Sequence, residues 1–136
     1  MTLAITTTLR TTFDDAVTRT RQALADQGFG VLTEIDVQAT LKAKLDEDVE
    51  NYLILGACNP PLAHQAIDVD RRIGLLLPCN VVVRADRHDS GAVIVDAMDP
   101  QIMVQVADAP GLQDVADAAA AKLRAAIGAL AAAQAL

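Results

Sequence analysis

Tryptophan is absent from this chain, and Phe13, Phe29 and Tyr52 are the only aromatic residues among 136. Aromatics make up 2% of the sequence while hydrophobic residues as a whole reach 52%. The core therefore has to be assembled from Leu, Ile, Val and Ala, each of which buries less area than a ring. A chain of this length holds one real core and not two substantial ones. A small domain in that position gains stability by burying further surface between subunits, so a homodimer is expected. Positive charge is scarce as well: 18 acidic residues face 11 basic ones, for a net charge of -7. Arg71-Arg72 is the nearest thing to a basic cluster. Phosphate recognition depends on a positive field, which argues against nucleic acid as a partner.

Long hydrophobic runs are missing too. No segment approaches membrane-spanning length, and the alanine-rich C-terminus is interrupted by Lys122, Arg124 and Gln134. Anchoring a helix in a membrane surface would need more hydrophobic bulk and a basic polar face. No membrane partner is expected. The N-terminal residues lack the basic and long apolar regions of a secretory signal, so a cytoplasmic location is expected. In that compartment the two cysteines are read as free thiols, with a transient redox pair as the alternative.

Several site patterns are absent. There is no glycine-rich phosphate loop, nucleophile elbow or His-Glu-x-x-His pair. Ser90 is the only serine and falls in a turn-forming segment, so a serine triad has no material. The residues assign no reaction, and no linker or domain boundary divides the chain.

What is present reads as alternating short elements. Leu3 to Leu9 is Thr-rich with a period-two tendency, a strand. Thr12 is placed to cap a helix that Gly28 stops, and Phe29 to Ile35 returns to strand character. Asp36 caps a short helix through Lys44. Asn51 to Ala57 is an apolar run of strand length, as expected of a strand covered on both faces. Asn59 reads as an N-cap with Pro60 at the first helical position and Ala63, Ala66 and Ile67 facing inward. Asp70 caps a further short turn. Pro78 to Arg84 and Ala92 to Ala97 form a hairpin across Asp86 to Gly91. Asp99 caps a short helix with Ile102, Met103 and Val106 on its apolar side. The last helix, Leu112 to Ala133, carries a stripe of Leu112, Val115, Ala119, Leu123, Ala126 and Leu130. The expected fold class is α+β, a two-layer sandwich with helices packed on one face of a mainly antiparallel sheet.

The chemistry concentrates between Cys58 and Met98. Each cysteine is followed by asparagine, as Cys58-Asn59 and Cys79-Asn80, where an apolar run meets a turn or helix start. Cys58 at a helix mouth has its thiolate favoured by the amides there. Cys79 begins a Val-rich strand and shares a face with Val81 and Val83, which favours a buried, inert thiol. The cysteines are 21 positions apart (79 minus 58), which matches no compact Cys-x-x-Cys site. A metal centre would need Cys58, His64 and Cys79 to converge in space. His64 alone reads more simply as a hydrogen-bonded or partly exposed residue, and His88 as a solvated loop residue. Asn59 and Asn80 are explained as capping or turn residues, with ligand contact as the alternative. Asp96 is an unexpected acid in an apolar strand and a candidate to face a pocket.

Leu55-Gly-Ala-Cys-Asn-Pro-Pro-Leu-Ala-His64, Gly74-Leu-Leu-Leu-Pro-Cys-Asn-Val-Val-Val-Arg84 and Val95-Asp-Ala-Met-Asp-Pro100 closely resemble the domain-of-unknown-function family 302. The likeness covers nearly the whole chain. It implies a compact α+β domain that pairs as a homodimer, and it implies no activity. The leading expectation is a small homodimeric binding protein. Its ligand is a transition metal, a metal-containing cofactor such as haem, or a small molecule near Cys58, Asn59, His64, Cys79, Asn80 and Asp96. The alternatives are a thiol redox protein or sensor, with Cys58 reactive and Cys79 resolving, and a structural or interaction protein with two buried cysteines.

Overall fold

The computed structural model describes residues 2–134. Strand β1 spans Ala4–Leu9 and leads into helix α1, Phe13–Asp26. Thr12 caps α1 as its spacing predicts, its hydroxyl accepting the Asp15 amide at 3.1 Å. The helix stops at Gly28, which takes a left-handed φ of +83°, and the Phe29 amide reaches back to the Leu24 carbonyl. Strand β2, Gly30–Asp36, runs directly into α2, Val37–Leu45, capped by Asp36. Then follow β3 (Tyr52–Cys58), α3 (Pro60–Val69), a 3-10 segment at Arg71–Leu76 and β4 (Cys79–Ala85). Strand β5 (Val93–Met98), α4 (Gln101–Ala107) and the long α5 (Gln113–Gln134) complete the chain.

The five strands form one sheet in the order β1-β5-β4-β3-β2, every neighbouring pair antiparallel. The class is α+β, as expected. Alternation assigns each strand residue to a face. Leu53, Leu55, Val81, Val83, Val93, Val95 and Ala97 point to one side, where α1 and α5 seal them into the main core with Leu24, Leu123, Ile127 and Leu130. The aliphatic composition works because antiparallel neighbours stack β-branched side chains closely. A second, smaller cluster joins Ala66 of α3, Ile73, Met103 of α4, and Leu112, Val115 and Ala116 around the start of α5.

The opposite face of the sheet is open, as a two-layer sandwich implies, which overturns the reading of β3 as a strand covered on both faces. The apolar run of β3 is covered on one side only: Ile54, Val82, Ile94 and Met98 are half-buried on the other. Gly56, two residues after Ile54 and paired with Thr33 and Asn80, has no room for a side chain. A Cβ there would collide with Thr33 and come within 2.7 Å of Pro78 Cγ. The helix after β5 also starts one residue later than the sequence suggests. Asp99 accepts the Gln101 amide at 3.0 Å while Pro100 holds the cap position. Val106, expected on the buried side of α4, is 61% exposed.

Candidate functional site

The end of the sheet nearest α3 brings both cysteines to one place. Strands β3 and β4 pair Ala57 with Cys79, so Cys58 lies one step beyond that pair at the end of β3. Asn59 turns the chain into α3: its side-chain oxygen accepts the Leu62 amide at 3.3 Å, and Pro60 takes the first helical turn. The Asn59 amide nitrogen donates a long bond, 3.5 Å, to the Gln27 carbonyl at the end of α1. Gly28 passes so close that a Cβ would stand 3.1 Å from that nitrogen. Glycine there serves both the left-handed turn and this approach.

α3 leaves a recess of about 270 Å³ between itself, the sheet end and α5. Cys58, Asn59 and Cys79 line it together with Phe29, Met103 and Ala119. No charged side chain is on its wall. The two thiols meet it differently. Cys79 is 6% exposed, and burial, with the neighbouring Cys58 adding to it, pushes its thiol up to about 11. Cys58 is half-buried at the helix mouth, and both cysteines are free.

The other candidates lie elsewhere. α3 turns Leu62, Ala63, Ala66 and Ile67 to the recess, which leaves His64 on the far side of the helix, 78% exposed and 3.6 Å from Asp68. Among the described residues, no group of three His, Cys, Asp or Glu side chains comes together that could hold a metal. The three-ligand centre of Cys58, His64 and Cys79 is not assembled within one chain, because the face of α3 that turns residues 62, 63, 66 and 67 to the recess turns residue 64 away from it. Asn80 and Asp96 are on the open sheet face, away from the recess. Asn80 is exposed there. Asp96 accepts the Thr6 hydroxyl at 2.6 Å and Arg84 Nε at 3.1 Å, an acid answered by its cross-strand neighbours. His88 is exposed in the β4–β5 loop, as expected.

Sequence reasoning missed Phe29, Met103 and Ala119 as site residues. Each carried a packing signal, but no local pattern tells a core position from the wall of a gap. The exclusion of His64 was available: the same wheel that turns Ala63, Ala66 and Ile67 inward turns residue 64 out.

The sequence model of the family described as "Domain of unknown function DUF302" matches residues 5–130. The chain belongs to this family. DUF302 resemblance extends to three dimensions. The crystal structure of an uncharacterized conserved protein DUF302 from Bacillus stearothermophilus superposes with a TM-score of 0.85 at 25% sequence identity. That match covers 94% of this chain and 98% of the other. No curated protein matches the chain. No helix among the described residues is long and apolar enough to cross a membrane.

Proposed function

We propose that this DUF302 protein is a homodimeric binding protein that carries an uncharged small ligand in the recess beneath α3. One observation carries the reading: two thiols from different strands line a single recess of about 270 Å³ with no charged group on its wall. An ion entering it would shed water with no opposite charge on the wall to offset the loss. An apolar molecule would instead remove its own surface and that of the wall from water. The pairing of two copies uses the open face of the sheet. There Val82, Ile94 and Met98 flank the Arg84–Asp96 pair, with Ile54 beyond Val82, which gives an apolar patch a polar element to fix its register.

The test uses two probes that share one aromatic frame. N-phenylnaphthylamine is neutral, and anilinonaphthalene sulfonate adds a fixed negative charge. The neutral probe should bind with a rise in fluorescence and the sulfonate should bind at least about tenfold more weakly, a difference of ~1.4 kcal/mol. Ala63→Leu, which pushes a larger side chain into the recess from α3, should abolish binding without lowering the melting temperature. Equal binding of both probes, or an Ala63→Leu variant that still binds, would remove the reading.

A second reading rests on the same two residues. Cys58 at the mouth and Cys79 behind it could serve hydroperoxide reduction: the Cys58 thiolate takes one oxygen from the O–O bond, releasing an alcohol, and Cys79 displaces water from the sulfenic acid to form a disulfide. Consumption of an organic hydroperoxide with loss of two thiols per turnover, abolished in Cys58→Ser, would favour this reading.

A further inference from the structure

The recess is rich in sulfur. Both cysteines of the chain, one of its three methionines and one of its two phenylalanines are on the wall. They come from four separate places: β3, β4, α4 and the turn before β2. No local sequence pattern forces them together, and the remaining wall is aliphatic apart from Asn59, with Ala57, Ala63, Ala66 and Ala119 set among larger Leu, Ile, Val and Pro side chains. Those alanines leave the space open, and the polarisable groups stand around it.

Resting on the reading that the recess takes an uncharged ligand, we propose that this ligand is a neutral aromatic molecule, a single ring or a fused pair, seated among Cys58, Cys79, Met103 and Phe29. Sulfur beside a ring edge is favourable beyond simple area burial, and Phe29 adds an edge-to-face or offset partner. A saturated molecule of the same skeleton draws only on apolar contact, which every wall of the recess offers equally. The protonated state of Cys79 suits this role. A neutral thiol presents a soft, polarisable surface to a ring, whereas a thiolate would bring an unpaired charge into an apolar wall.

Displacement of N-phenylnaphthylamine by naphthalene and by decalin separates the two kinds of contact on one carbon skeleton. Decalin has the larger apolar surface, so a recess that reads apolarity alone binds it more tightly. Naphthalene is expected to displace the probe at about tenfold lower free concentration than decalin, or ~1.4 kcal/mol. In the double variant Cys79→Val, Met103→Leu, side chains of similar bulk and no sulfur replace two of the three sulfurs. There the advantage of naphthalene over decalin should shrink several-fold while the melting temperature holds. The single variant Met103→Leu gives the same readout if the double variant does not fold. If decalin competes as well as naphthalene while the probe still binds, the aromatic class is wrong and the uncharged-ligand reading stands. An advantage that survives removal of the sulfurs also overturns the proposal. If the probe does not bind at all, both fall.

Discussion

Cys58 and Cys79 carry the same functional group into two different surroundings. Cys79 is sealed against the core, and its proton is held up to about 11. Cys58 is half-buried where β3 becomes α3. Only a thiolate alkylates at a useful rate. Iodoacetamide near neutral pH should therefore label Cys58 well before Cys79 in the folded protein, as read by site-resolved mass spectrometry. Labelling of Cys79 first would show that the recess admits solvent more freely than its wall suggests. The same burial makes stability depend on alkali. Below pH 9.0, the ordinary value of the group, folded and unfolded chains both hold the proton. Above it the unfolded chain ionises first, so the contribution present at neutral pH is lost as pH rises through about 11. Cys79→Val should flatten the fall in melting temperature over that window, and an unchanged slope would place its cause at another group.

At the scale of elements, α5 is the helix most fully legible in the sequence. Leu112, in the 3-10 turn just before the helix, and Val115, Ala119, Leu123, Ala126 and Leu130 within it recur at three- and four-residue steps and are all buried. Leu123→Asp should cost several kcal/mol, roughly 3–5, because an unpaired carboxylate replaces a fully buried side chain. Ala125→Asp, on the exposed side of the same helix, should cost well under about 1 kcal/mol. Similar melting temperatures for the two variants would contradict the assigned face. Arg124 is a poorer control than its exposure implies, since its guanidinium is 3.6 Å from the buried Asp99. The caps at Thr12, Asp36 and Asn59 were readable because a cap is decided by residues three apart. The Asp99–Arg124 pair was not, because it joins elements whose approach only the whole fold determines, and the Asp96–Arg84 pair lies in the expected hairpin but depends on a strand register that the loop sequence leaves open. The open side of β3 escaped for a related reason. An apolar run fixes strand character, but which layers reach each face depends on where α1 and α5 cross. The recess itself had no signal, being the space that α3, α5 and the sheet end fail to fill.

For the whole molecule, the open sheet face leads to the proposed dimer. Sedimentation equilibrium at micromolar concentration should return twice the chain mass of 14.3 kDa. Val82→Arg, which sets a charge among Ile54, Ile94 and Met98, should return a single chain with its fold intact. A monomer in the unaltered protein would leave that face free. The two hydrophobic clusters carry a different consequence. α5 belongs to both: its first turns hold Val115 and Ala116 in the smaller cluster, and Leu123 to Leu130 hold the larger. Ala119, between those stretches, is on the wall of the recess. The gap therefore lies along the seam between the two clusters, which α5 spans. Opening of the α3–α4 layer without unfolding of the sheet is therefore expected as a separate step of lower free energy, read as faster amide hydrogen exchange in α3 and α4 than in β3 to β5. A molecule seated across the seam would touch both clusters at once and merge their transitions, so that occupancy is felt as cooperativity of the fold.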